Sequence, residues 1–300
     1  MGEIFSLLSA FFWASAIILF KKLGKNTSPI LVNVFKNSFG VILIFFSLYL
    51  INYNPINIPD FIDSNDIFIL IISGAIGLGV ADILFLKSLN IVGAGVSALV
   101  DIMYSPFVLI FAYFILNERL HFIQIVGGLL IFLSVIYASY KLKNISISRR
   151  ELIKGIILGV FALLLMAFCI VLIKPILNKT NILTNHLWIA GFRMIPGMLV
   201  PLLLSFILLS KKELSILFEN SYNMKLLISG SFFATYLGIS FWIIGMANTK
   251  TSIAAILNQT ASFFILILAR IFLGEYITKR KTTSIIVASF GAILIVLYGK

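Results

Sequence analysis

The sequence predicts an all-α integral membrane protein of about ten transmembrane helices in two inverted five-helix repeats, and three observations predict it. Of 300 residues, 61% are hydrophobic and only 11% charged, with a mean hydropathy of +1.11; water is not the main solvent of such a chain. Its apolar residues fall into ten runs with short polar breaks. The chain also matches itself at a shift of 157 residues, which carries Glu118 onto Glu275.

A helix crossing a hydrocarbon core of about 30 Å needs roughly 20 mostly apolar residues. Runs of that kind lie at 4–22, 30–51, 66–88, 94–116 and 121–140, then at 152–174, 184–209, 225–247, 251–273 and 280–298. The first is as long as a signal-peptide core, but Lys21 and Lys22 follow it. A cleavable signal places its charge first, so this run reads as a span. The third and fourth runs, and the eighth and ninth, are joined so tightly that each couple predicts a helical hairpin. Two connections are longer and polar: Asn52 to Asn65, with Asp60 and Asp63, and Leu142 to Glu151, with Lys143, Arg149 and Arg150. The second divides the chain into a first unit 1–141, a basic linker 142–151 and a second unit 152–300.

The shift of 157 holds at many points. It places Lys36 on Arg193, Gly40 on Gly197, Ser97-Ala98 on Ala254-Ala255, Asp101 on Asn258, Ser105 on Ser262 and Ser134 on Gly291. Five spans are an odd number, so the second unit starts on the opposite side of the membrane from the first. Inverted repeats have a mechanical consequence: the halves can exchange conformations around a site near the bilayer midplane.

The formal charge of +12 comes from Lys and Arg placed in twos and threes at the ends of apolar runs. There they meet lipid headgroups and set orientation, and no basic stripe with interleaved aromatics suggests nucleic acid. By the positive-inside rule the basic ends, among them Lys21, Lys22, Lys25, Lys211 and Lys212, are cytoplasmic, which puts both termini outside. The single cysteine, Cys169, lies inside an apolar run and excludes an internal disulfide framework. There is no His-Glu-x-x-His and no Walker loop, and the two histidines, His121 and His186, lie near span ends. No metal, cofactor or enzyme chemistry is expected, and the lack of a nucleotide motif argues against ATP-driven movement and for ion or substrate gradients.

An ionisable residue deep in a span costs about 2.5–3.5 kcal/mol on insertion scales, so each one invites a functional reading. Asp101 lies about eight residues, roughly 12 Å of rise, into its span. A carboxylate there can bind a cationic substrate or carry a coupling proton, or it can be a paired structural acid. Tyr104 is one turn further on, and Asn258 with Gln259 offers amides from the other half, either to a solute or as interhelical glue. Lys36 and Arg193 sit at matching depths. They can flank a cavity and attract an anionic group, or reach the interface, or pair with Asp101 or Asp82. Asp82 reads as lying late in the third span, nearer an interface, with Lys87 as a loose partner or snorkelling.

Trp13, Tyr236 and Trp242 are candidates to line a pathway, against a background of 28 Phe residues that face lipid or neighbouring helices. Pro106, Pro196 and Pro201 lie inside spans, where a lost hydrogen bond permits a kink that is either a hinge or static. Gly74, Gly77, Gly79, Gly155 and Gly159 have the small-residue spacing of close helix packing. Arg270 sits near a span end and snorkels.

The Trp13-Ala14-Ser15 step with Lys21-Lys22, the Lys36/Arg193 pair, the Ala98 and Ala255 segments, and the stretch Gly95 to Pro106 followed by Glu118 and Gly127-Gly128 together resemble the drug/metabolite transporter superfamily. The resemblance is to its EamA-type members with two tandem five-helix units. It covers nearly all of the chain and implies export or exchange of amino acids, metabolites, nucleotide-sugars or drugs at a prokaryotic plasma membrane. It also implies termini in the cytoplasm, opposite to the charge bias. Phe263 stands where the second unit would match Pro106, so a hinge there lacks a symmetric proline. Two units in one chain remove the need to dimerise, which leaves a monomer or weak homodimer. A lipid-carrier flippase of polyprenyl-phosphate type is the alternative reading, and a receptor or scaffold the third.

Overall fold

The computed structural model describes residues 2–24, 27–117, 122–139, 148–210, 221–276 and 278–297. Glu118, His121, Lys25, Lys211, Lys212 and residues 140–147, which include most of the linker, lie outside the described residues. The helices are α1 (Gly2–Leu23), α2 (Pro29–Leu50), α3 (Ser64–Val92), α4 in two pieces (Ala94–Asp101 and Tyr104–Leu116) and α5 (Phe122–Ser139). The second half repeats the set: α6 (Arg149–Leu177), α7 (Leu183–Leu208), α8 (Ser221–Asn248), α9 in two pieces (Thr251–Asn258 and Ala261–Leu273) and α10 (Lys279–Leu297). Among the described residues, eight are long and apolar enough to cross a membrane; α5 and α10 complete the two sets of five.

Local sequence sets where the helices start. Ser28 accepts from the Ile30 amide with Pro29 at the first helical position, and Ser148 accepts from the Glu151 amide. Asp63 and Asp66 form a reciprocal capping box at α3 (2.9 and 3.1 Å). These caps lengthen α3 and α6 to 29 residues each, about 44 Å at 1.5 Å per residue, so both reach beyond the hydrocarbon core. The runs 66–88 and 152–174 read from hydropathy alone are correspondingly too short.

The two halves share irregularities as well as helices. A π-helical segment interrupts α3 at Gly74–Val80 and α8 at Phe232–Ile239. The breaks in α4 and α9 fall at Ile102–Met103 and Gln259–Thr260, which the shift of 157 superposes residue for residue. Both helices then end on a left-handed residue, Asn117 (φ 54°) and Gly274 (φ 64°), again in register. Lys21 donates to the Leu89 and Asn90 carbonyls (2.9 and 3.1 Å) at the end of α3, and Lys174 donates to Met246 and Thr249 at the end of α8. Leu89 and Met246 are also related by the shift. Each lysine thereby satisfies carbonyls that a helix C-terminus leaves open.

Packing follows the same two-fold logic. α2 packs on α7 and α5 on α10, while the contacts of α1 with α8 and α9 are mirrored by those of α6 with α3 and α4. α3 and α7 approach closely where a Cβ on Gly74 would stand 2.1 Å from the Arg193 carbonyl oxygen. Gly74→Ala is therefore expected to lower stability by about 1–3 kcal/mol, the usual cost of overpacking, read as a fall in unfolding temperature in detergent. An unchanged temperature would mean the two backbones do not meet there.

On one face of the bundle, Lys179 links α6 to the start of α3 through Asp63 (2.9 Å) and Asp66. The Asp66 amide and the Lys179 ammonium hold the Asp63 carboxyl below the usual carboxylate range, and the two acids raise Lys179. Stability from a depressed acid is present above its unfolded pKa near 4 and is lost as pH falls through the lower folded value. Stability from a raised lysine is present below its unfolded pKa near 10.4 and is lost as pH rises through the higher folded one. Proteolysis of the 52–63 loop should consequently stay flat between about pH 5 and 9 and rise below about pH 4. A rise already at neutral pH would contradict the tether.

Candidate functional site

A cavity of about 110 Å³ lies inside the bundle, walled among the described residues by α1–α4 and α6–α9. For scale, an engineered apolar cavity of about 150 Å³ accommodates benzene. Twelve of its lining residues form six couples under the shift of 157: Ser9/Met166, Trp13/Ile170, Lys36/Arg193, Gly77/Ala234, Asp82/Ile239 and Asp101/Asn258. The cavity accordingly sits on the axis that relates the halves, where an alternating mechanism needs its site.

The π-helical segments open its wall. A π turn leaves carbonyls without their α-helical partners, and in α3 these are taken up by α2: Asn33 donates to Leu78 and Gly79 (2.9 and 2.8 Å), and Asn37 to Leu78 (3.0 Å) and to Gly197 of α7 (2.8 Å). In α8 the Gly238 carbonyl accepts from Ser9 (2.9 Å), and Thr235 donates to the Lys36 carbonyl (2.8 Å). Irregular backbone survives at membrane depth because neighbouring side chains satisfy it.

Four charged side chains face the cavity, each no more than 6% exposed. Lys36 forms an ion pair with Asp82 and also donates to Asn37 Oδ1 (3.1 Å). Arg193 donates through Nε to Ser73 Oγ (3.0 Å). Among the described residues Arg193 has no carboxylate within ion-pair distance, and Asp101 has neither a cation nor a hydrogen-bond donor on its carboxylate. The reason for the imbalance lies in the register. Asp82 neutralises Lys36, but the position matching Asp82 is Ile239, so Arg193 has no equivalent acid.

Of the residues the sequence put forward, Asp101, Tyr104, Asn258, Lys36, Arg193, Asp82, Trp13 and Trp242 line this cavity. Tyr104 and Trp242 meet at 6.0 Å between ring centroids, and Trp13 packs on Phe85 at 5.6 Å. Gln259 stands just behind, its amide donating to the Asp101 carbonyl at 3.3 Å. Tyr236 points away, its hydroxyl bonded to Ser47 at 2.8 Å.

Asp82 does not stand at the end of its helix, where the run 66–88 placed it. With α3 running to Val92 it lies well inside the helix, and its partner is Lys36, not the exposed Lys87. Pro106 explains the break in α4, because its ring excludes the Ile102 carbonyl four residues back. The matching break in α9 forms without a proline, where Gln259 reaches across to α4. α7 stays helical through Pro196 and Pro201. Arg270 lies over the Tyr276 ring at 5.1 Å.

The apolar wall was missed from the sequence. Leu163, Met166 and Ile170 line one side from α6, and Ile239 the other. Their signal was the register itself, since Met166 and Ile170 match Ser9 and Trp13.

A family model described as the EamA-like transporter family matches residues 1–140 and again residues 153–297. One solved structure, described only as the crystal structure of a protein, superposes with a TM-score of 0.75 at 12% identity, covering 99% of this chain and 96% of its own. That likeness concerns the fold. No curated protein matches the chain.

Proposed function

The chain belongs to the EamA-like transporter family, and on that premise we propose that it moves a small carboxylate-bearing organic solute, an amino acid or small organic acid, by alternating access. The observation that carries this reading is Arg193: a buried guanidinium facing an axial cavity, hydrogen-bonded among the described residues only through Nε, with Ile239 where an acid would neutralise it. A buried unpaired charge costs several kcal/mol. A solute carboxylate accepting from the free guanidinium nitrogens offsets that cost, and the fork geometry of arginine suits it. The apolar wall of α6 and the Tyr104–Trp242 rings then receive the rest of the solute.

Two units, 1–141 and 152–300, joined by the 142–151 linker, would act as the moving halves. At one end the α3–α4 hairpin is held by α6, with Ile91 and Val92 against Gly155 and Ser88 donating to the Gly155 carbonyl (2.6 Å). At the other, the α8–α9 hairpin is held by α1, with Asn248 and Thr249 against Gly2. Releasing one set while the other holds would expose the cavity to one side at a time. The chain works on an ion or solute gradient in a plasma membrane, as a monomer.

The test is uptake by proteoliposomes of labelled amino acids and organic acids, each beside its methyl ester. Acids are expected to move and esters not, and Arg193→Gln is expected to abolish uptake. Equal transport of esters, or an unaffected variant, would overturn the assignment. Binding of polyprenyl phosphate with no flux of soluble acids would replace it by a lipid-carrier flippase.

A further inference from the structure

We infer that the crossing of the two broken helices, α4 and α9, is a binding site for a monovalent metal cation of the sodium type, with Asp101 as its charged ligand. The inference rests on the transport reading and deepens it, because it names the ion bound beside the solute.

Two polar stripes meet at this crossing. On α4 they are Ser97, Asp101 and Ser105, spaced by four residues; on α9 they are Asn258 and Ser262, at the same spacing and in matching register. The first piece of α4 packs on the second piece of α9, and the reverse. Gln259 closes the crossing by donating to the Asp101 carbonyl at 3.3 Å, which fixes its amide so that Oε1 is the atom left over.

Among the described residues every one of these side-chain oxygens lacks a partner. Ser97 Oγ, Ser105 Oγ, Asn258 Oδ1, Gln259 Oε1 and Ser262 Oγ are buried with no hydrogen bond, and the Asp101 carboxylate has none among the described residues. Several helical hydroxyls elsewhere close onto the preceding turn, as Ser15 does on Phe11, Ser38 on Val34, Ser47 on Leu43 and Ser231 on Leu227; Ser240, Thr251 and Ser284 are also open, but singly, whereas the five at the crossing are gathered on two packed helices. Buried polar atoms left open cost free energy unless something fills them.

Ser97 and Ser105 lie eight residues, about 12 Å of rise, apart on α4, so one ion at Asp101 draws on the oxygens nearest that carboxylate, and the type of donor says what the ion is. The donor set consists of oxygens, which suits a hard cation, and one carboxylate among neutral ligands suits a single charge, since calcium sites draw on more acidic ligands and magnesium keeps several of its waters, for which a buried helix crossing leaves little room. Asp101 and Asn258 face the solute cavity, whereas the three serines and Gln259 stand behind it. Discontinuous helices meeting at the midplane are also where transporters of other folds hold coupling cations. With a cation at Asp101 and a carboxylate at Arg193, every buried charge in the cavity is paired.

The experiment is thermal unfolding of the full chain in detergent without solute, titrating NaCl against choline chloride at constant ionic strength. Sodium is expected to raise the unfolding temperature saturably and choline not. Asp101→Asn should abolish the sodium effect, and Ser262→Ala, a one-atom deletion at a buried position, should move its midpoint about ten-fold higher. No sodium-specific shift in the wild type, a shift unchanged in Asp101→Asn and Ser262→Ala, or a shift that follows pH instead of sodium overturns the site. Solute uptake that persists without sodium removes the cation site and leaves the transporter reading standing.

Discussion

Ile239→Asp is expected to weaken binding of a carboxylate solute by roughly 30-fold or more while the protein still folds. The register places residue 239 in its half where Asp82 stands in the other, and both positions line the same cavity. A carboxylate there gives Arg193 the internal partner that Lys36 already has. The solute must then displace a tethered acid, and losing a buried charge-assisted contact typically costs about 2–5 kcal/mol, at 1.4 kcal/mol per tenfold. Stability should rise or stay level, since the new acid neutralises a buried cation. Ile239→Asn, similar in size and uncharged, should change affinity far less. Quenching of Trp242, which lies in the cavity wall, is a direct readout of binding. Equal affinity in wild type and Ile239→Asp would show that Arg193 is not the anion-binding group.

How much of this was legible in the sequence follows from what a register can carry. The shift of 157 aligned Lys36 with Arg193 and Asp101 with Asn258 without any coordinates, and these couples face one cavity. Ion pairing was not legible, because whether Lys36 meets Asp82 or Asp101 depends on the rotation of α2 against α3. That rotation is set by the π-helical turn at Gly74–Val80, and an extra residue per turn moves every later side chain to a new face. The same displacement in α8 explains why Tyr236 went to Ser47 while Trp242 reached the cavity. Hydropathy stopped α3 at residue 88, four short of Val92, which made Asp82 look peripheral. The break in α9 left no local mark, since Gln259 and Thr260 are ordinary helix residues whose partner is across the axis. Ile239 could not be singled out at all. An isoleucine in a membrane span signals nothing until its counterpart is known to be an acid in an ion pair.

The asymmetry of the four charges leads to the second large effect, on stability. Asp82→Asn is expected to destabilise the protein by about 3–5 kcal/mol, because Lys36, 2% exposed, would be left as an uncompensated buried ammonium. Lys36→Met should cost less. Asp82 already lies within electrostatic reach of Arg193, so once Lys36 is gone the guanidinium can take over the orphaned carboxylate. That rescue has a functional price: Arg193 is then occupied, and carboxylate binding should fall as it does in Ile239→Asp. The double variant Lys36→Met with Asp82→Leu removes both charges, and should recover stability close to wild type and retain a free Arg193. Thermal unfolding in detergent and solute binding, measured on all three, separate the two roles. If Lys36→Met binds the solute as the wild type does, Arg193 and Asp82 do not exchange partners, and the buried pair serves packing alone.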